Sequence, residues 1–189
     1  MNGFRSARRA AVLVVVALVL GACGGGGGVG GVGGNKVSAQ AYVKTACTSF
    51  GRWISEIQAR VSQISKENPS TPQAGKKAIT DFFDGVIADT GTLVDQLKSA
   101  GTPDVDNGDQ IENALVATLT QVKSLLEQAR ERVGNLPIDS PQAFVQATGQ
   151  MSKAIQKAFQ RAGQQFGNLR SPQLEQAAAK EPACKSIGT

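Results

Sequence analysis

Apolar residues recur at steps of three and four along four long stretches of the chain, the spacing that turns one face of an α-helix toward a core. The first stretch starts at Ser38, a suitable N-cap, and runs to about Lys66, with Val43, Cys47, Phe50, Ile54, Ile57, Val61 and Ile64 on one face. Asn68-Pro69 ends it. A second helix opens at Thr71-Pro72 and carries Ile79, Phe83, Val86, Thr90, Leu93 and Leu97, a stripe widened by Phe82, Ile87 and Val94. Gly101 and Pro103 stop it. The third begins near Asp106–Asp109 and ends at Gly134-Asn135, burying Ile111, Leu115, Leu119, Val122, Leu126 and Val133. The fourth opens at Ser140-Pro141 and presents Phe144, Met151, Ile155, Ala158, Phe159, Ala162 and Phe166.

Ser171-Pro172-Gln173 repeats the start seen at Thr71-Pro72-Gln73 and Ser140-Pro141-Gln142, and predicts a short fifth helix to about Lys180. The echo is capping chemistry, a hydroxyl followed by Pro at the first helical position, since nothing downstream repeats in register. Connections of a few residues between long amphipathic helices make sequential helices antiparallel neighbours. The expected fold is all-α: an antiparallel up-down-up-down four-helix bundle plus a short C-terminal helix, over residues 38–189.

The first 37 residues read differently. Arg5, Arg8 and Arg9 precede an apolar run over 10–20, which spans roughly 16 Å as a helix, about half a bilayer core. Leu20-Gly21-Ala22-Cys23 then resembles the lipobox of bacterial lipoprotein signal peptides, in which the Cys receives lipid and the signal is cut before it. The resemblance implies a signal peptide over 1–22, lipidation at Cys23 and an address on the outer face of the cell membrane. An ordinary signal peptide with an incidental Cys is the other reading. Gly24–Gly34 holds only Gly and Val, and residues 23–37 are expected to form a tether. Fourteen such residues have a reach of roughly 20 Å.

Charge changes the picture little. The formal +5 falls to +2 once Arg5, Arg8 and Arg9 leave with the signal, and no basic cluster alternates with aromatics, so no nucleic-acid partner is expected. Aromatics make up 5 % of the chain, which suits an aliphatic helical core. There is no His, which removes the commonest general base and metal ligand together with Ser-His-Asp and Cys-His chemistries. With Cys23 assigned to lipid, Cys47 and Cys184 remain as a pair in an oxidising compartment, and the up-down topology brings both to the same pole. Closing that loop is worth roughly 5 kcal/mol in the chain-entropy model.

Several side-chain constellations could carry chemistry. Asp104, Asp106, Asp109 and Glu112 form the densest oxygen cluster, but Gly108 arrives one place early for a calcium loop and Leu115 stands where its closing Glu should be. Helix capping explains them, with a weak cation site as the alternative. Lys153, Lys157 and Arg161 recur every four residues as a stripe, either a solvated face or an attraction toward helix three or anionic headgroups. Trp53 belongs at the margin of the core or stacks a ligand, and Tyr42 is a conceivable haem-iron ligand. Asp81 and Asp84 share a helix face without any sign of a catalytic pair. Gly85, Gly91, Gly149 and Gly163 mark close helix approach or room for a guest.

At Gly101-Thr-Pro-Asp-Val-Asp-Asn-Gly108 and Pro182-Ala-Cys184-Lys185 the chain resembles small secreted lipoproteins of actinobacteria, which join a Gly-rich tether to a helical domain with an early and a late Cys. A looser resemblance is to the small helical haemophores of mycobacteria. Neither supplies catalytic or binding residues here. The expectation is a non-catalytic, lipid-anchored interaction module with no cofactor and no metal, whose partners are the membrane, through Cys23, and an unknown protein or envelope component. The alternative is a carrier of lipid or haem inside the bundle, lined by Phe82, Phe83, Phe144, Phe159 and Phe166.

Overall fold

A computed structural model describes residues 35–166 and 171–187. Cys23, the signal-like segment and Gly24–Gly34 lie outside the described residues, as do the side chains of Phe159, Arg161, Ala162, Gly163 and Phe166. The described chain is a helical bundle in the order β1 (Lys36–Val37), α1 (Ala39–Glu67), α2 (Pro72–Ser99), β2 (Thr102–Pro103), α3 (Gly108–Val133), α4 (Pro141–Phe166), α5 (Pro172–Lys180) and α6 (Pro182–Lys185). No helix among the described residues is long and apolar enough to cross a membrane.

The starts obey capping rules. Ser38, Thr71 and Ser171 each accept a bond from a backbone N–H in the first turn, and Pro occupies the first helical position of α2 and α5. Helix α3 departs from expectation. Its N-cap is Asn107, in the left-handed region at φ 60°, with no side-chain cap; of the nearby acids Asp109 lies in the first turn, where it complements the helix dipole.

Helix α2 is the central element, packed between α1 and α3, and α3 in turn carries α4. Two apolar clusters lie along it. One joins Phe83 and Val86 of α2 to Val122, Leu126, Ala129 and Val133 of α3, with Phe144, Met151 and Ile155 of α4 packed against it. The other joins Phe50 and Trp53 of α1 to Leu93, Val94 and Leu97 of α2 and Leu119 of α3. Arg60 pairs with Asp89 across α1 and α2 (Nε–Oδ2 2.7 Å), and Arg130 with Asp84 across α2 and α3 (Nε–Oδ1 2.9 Å). Both pairs are two-pronged and partly exposed, so they set register more than they add stability.

Helix α1 has a second flank, covered by α5 and α6. Val43 and Cys47 meet Ala177 and Cys184 there, and Gln40 donates to Glu181 (3.2 Å). The Sγ atoms of Cys47 and Cys184 lie at disulfide distance, 2.06 Å, with Cα atoms 4.9 Å apart. Val61, expected in the core, is 42 % exposed. It stands about five turns along the same face as Val43, beyond the reach of the short α5 and α6.

One feature escaped the periodicity. Lys36 and Val37, inside the stretch read as tether, pair in parallel with Thr102 and Pro103. Thr102 N–H donates to Asn35 (3.1 Å) and Asp104 N–H to Val37 (2.7 Å). Gly101 permits this: its φ is +83°, and a Cβ there would stand 2.5 Å from the Asn35 carbonyl oxygen. Gly101→Ala is therefore expected to destabilise the fold by about 1–3 kcal/mol in urea titration. Amide exchange should rise at Thr102 and Asp104 before it rises in α2.

Candidate functional site

A groove of about 570 Å³ lies between the first half of α1 and the last turns of α2. Helix α1 supplies Thr45, Thr48, Ser49 and Arg52. Helix α2 supplies Thr92, Asp95, Gln96 and Ser99. Steps of three and four along each helix put these polar residues on the flank of the seam, while Phe50, Trp53, Leu93 and Leu97 fill the seam itself. Thr48, Arg52, Thr92 and Asp95 are exposed, and Ser49 is buried. The groove therefore offers hydroxyls, one amide, one guanidinium and one carboxylate, a set that recognises a polar partner by hydrogen bonding.

Among the described residues no groove hydroxyl donates to Asp95, and Thr92 Oγ1 is already bonded to the Ala88 carbonyl (3.2 Å). A nucleophile needs a base within hydrogen-bond reach. The groove lies near the pole that gathers β1, β2 and the clasp of α5 and α6 on α1.

The residues singled out in the sequence fall into place as follows. Trp53 is buried rather than marginal, its indole N–H donating to Thr90 Oγ1 (3.0 Å), so its face is committed to the core and to the edge of the Phe50 ring. Phe82 and Phe83 meet edge to face, and Phe144 covers Gly75. These rings pack against the first apolar cluster. Gly85 marks close approach, since the Arg60 guanidinium passes over it on the way to Asp89, whereas Gly149 faces open space. In the acidic stretch Asp104 pairs with Lys36 (3.5 Å), and Glu112 accepts a bond from Thr102 (2.5 Å). Among the described residues no three acids or cysteines converge as a metal ion would need.

Tyr42 is the outlier. It is 3 % exposed, and its hydroxyl is enclosed without a hydrogen-bond partner among the described residues. Burial, and secondly the charge of Glu112, push its pKa up to about 12. An iron-bound tyrosinate needs the opposite tendency, so the environment favours the neutral phenol over a ligand. Sequence reasoning could not find the polar groove, because a Thr or Ser on a helix flank looks the same whether a neighbour walls it in or not.

No known protein family, curated protein or solved structure matches this chain.

The Tyr42 environment gives a test with a defined sign. The unfolded phenol ionises near 10 and the folded one near 12, so the folded state keeps its proton longer and stability falls as pH rises from about 10 to 12. The loss is about 2–3 kcal/mol. Tyr42→Phe removes that component, so the variant's unfolding free energy should gain on that of wild type across this window. At neutral pH the variant should be at least as stable as wild type, because it removes an unpaired buried hydroxyl.

Proposed function

We propose that this chain is an exported lipoprotein, held at the outer face of the cell membrane by lipid on Cys23, whose helical domain is a non-catalytic interaction module of the cell envelope. The observation that carries the second half is the contrast between interior and surface. Leu93, Leu97, Val133 and Thr90 are sealed from solvent, while an open groove lined by Thr, Ser, Gln, Arg and Asp side chains lies on the α1–α2 seam. A filled interior favours recognition at the surface over carriage of a guest. Its hydroxyl-rich lining suits a protein segment or an envelope polymer.

In this reading α1 to α4 run up-down-up-down as antiparallel neighbours, with α4 an outer member and α5–α6 returning to α1. A Cys47–Cys184 bond formed outside the cytoplasm would fix that return, and the disulfide distance between the two sulfurs supports it. The pairing of β1 with β2 supports a defined exit for the tether.

Metabolic labelling with a fatty-acid precursor should mark the wild type and leave Cys23→Ala unmarked. Equal label in both would rule out anchorage at this residue. For the groove, a photoreactive residue at position 48 or 92 should form a discrete covalent adduct in intact cells. The same residue at exposed position 131 on α3 serves as control. Equal adduct yields from the two faces would count against the groove.

A further inference from the structure

Helix α4 carries Lys153, Lys157 and Arg161 and no Asp or Glu over residues 141–166. It is held from one side: Phe144, Met151 and Ile155 pack on the first apolar cluster, along α3. Between α3 and α4 runs a second groove, of about 300 Å³. Its walls include Leu125, Met151, Ala154 and Ile155, and its charged residues are Arg132 and Lys157, both basic. Gln128 is its one uncharged polar residue.

Among the described residues the cations here are not held by carboxylates, a state they share with several other surface lysines. Arg60, Arg130, Lys77 and Lys123 each reach a carboxylate. Among the described residues Arg132, Lys153 and Lys157 reach none. An apolar cleft flanked by cations without counter-ions is complementary to an amphiphile with a negative head. A peptide laid in the cleft would leave backbone N–H and C=O groups with a single neutral side chain to bond, whereas an acyl chain makes no such demand.

We propose that the α3–α4 face docks on an anionic bilayer, with acyl chain entering the groove and Arg132, Lys153 and Lys157 meeting lipid phosphates. The contact is separate from the α1–α2 groove and does not need the Cys23 lipid.

Vesicle flotation tests it, using the chain from residue 23 onward with Cys23→Ser, which keeps every described residue and excludes an acyl anchor. The probes are vesicles of equal parts phosphatidylglycerol and phosphatidylcholine, and of phosphatidylcholine alone. Binding to the anionic vesicles is expected to exceed binding to the neutral ones by more than tenfold and to weaken with added salt. Each basic residue at a charged surface is worth about fivefold, so Arg132→Gln/Lys153→Gln/Lys157→Gln should lose roughly a hundredfold. Ala154→Asp, at an exposed position whose change leaves the core intact, should also weaken binding at least tenfold. Unchanged helical circular dichroism would show that both variants fold. Equal binding to the two vesicle types, no binding to either, or a triple variant that binds like wild type would overturn the proposal. So would an Ala154→Asp variant that binds normally, or equal retention on polyglutamate, because the groove would then take no acyl chain.

Discussion

The bond from the Trp53 indole to Thr90 sits where the two apolar clusters meet. Thr90 is fully buried between Val86, in one cluster, and Leu93, in the other. Its hydroxyl donates to the Val86 carbonyl one turn back (2.7 Å) and accepts from Trp53. A single hydroxyl thus satisfies the one polar atom of the largest side chain in the core. Without it, an indole N–H would be sealed among aliphatic groups at a cost of about 1–3 kcal/mol. The approach of α1 to α2, and the seam whose flank becomes the polar groove, depend on that arrangement.

From this seam outward the bundle loosens in two directions. On one side α1 gains a second cover from α5 and α6, through Gln40–Glu181, the Cys47–Cys184 contact and Ile187 against Gly51. These attachments line up along the first turns of α1, so the cover stops short and leaves Val61 to solvent. On the other side α4 rests on α3 and keeps an open flank with Val145 67 % exposed. Each side carries a concavity of different chemistry: polar and of mixed charge at α1–α2, apolar and basic at α3–α4. The difference follows from what each seam buries. Thr, Ser, Arg and Asp side chains flank the buried Trp53, Leu93 and Leu97 at the first, whereas Leu125, Met151, Ala154 and Ile155 line the second.

Much of this was legible in the residue pattern. The four long helices and the short one after Ser171 follow from steps of three and four between capping residues, because a helix's inner face and its ends are local properties. The approach of Cys47 to Cys184 is also legible there, as the two cysteines left once Cys23 is set aside, and their sulfurs lie at disulfide distance. Val61 is exposed and Trp53 buried against expectation, because periodicity says which way a residue points and not whether anything covers it.

The chain's own order therefore determined that the domain is helical, where its helices begin and stop, and which residues face inward. Those features rest on interactions within a turn or two of backbone. Only the tertiary structure decided that Lys36–Val37 joins the fold through the loop after α2, that Arg60 crosses Gly85, that Tyr42 is sealed beside Glu112, and that two seams of opposite character open at the surface. Each of these joins residues far apart in the chain. The free energy that selects them comes from shared burial and close approach, quantities that exist only once the helices have met.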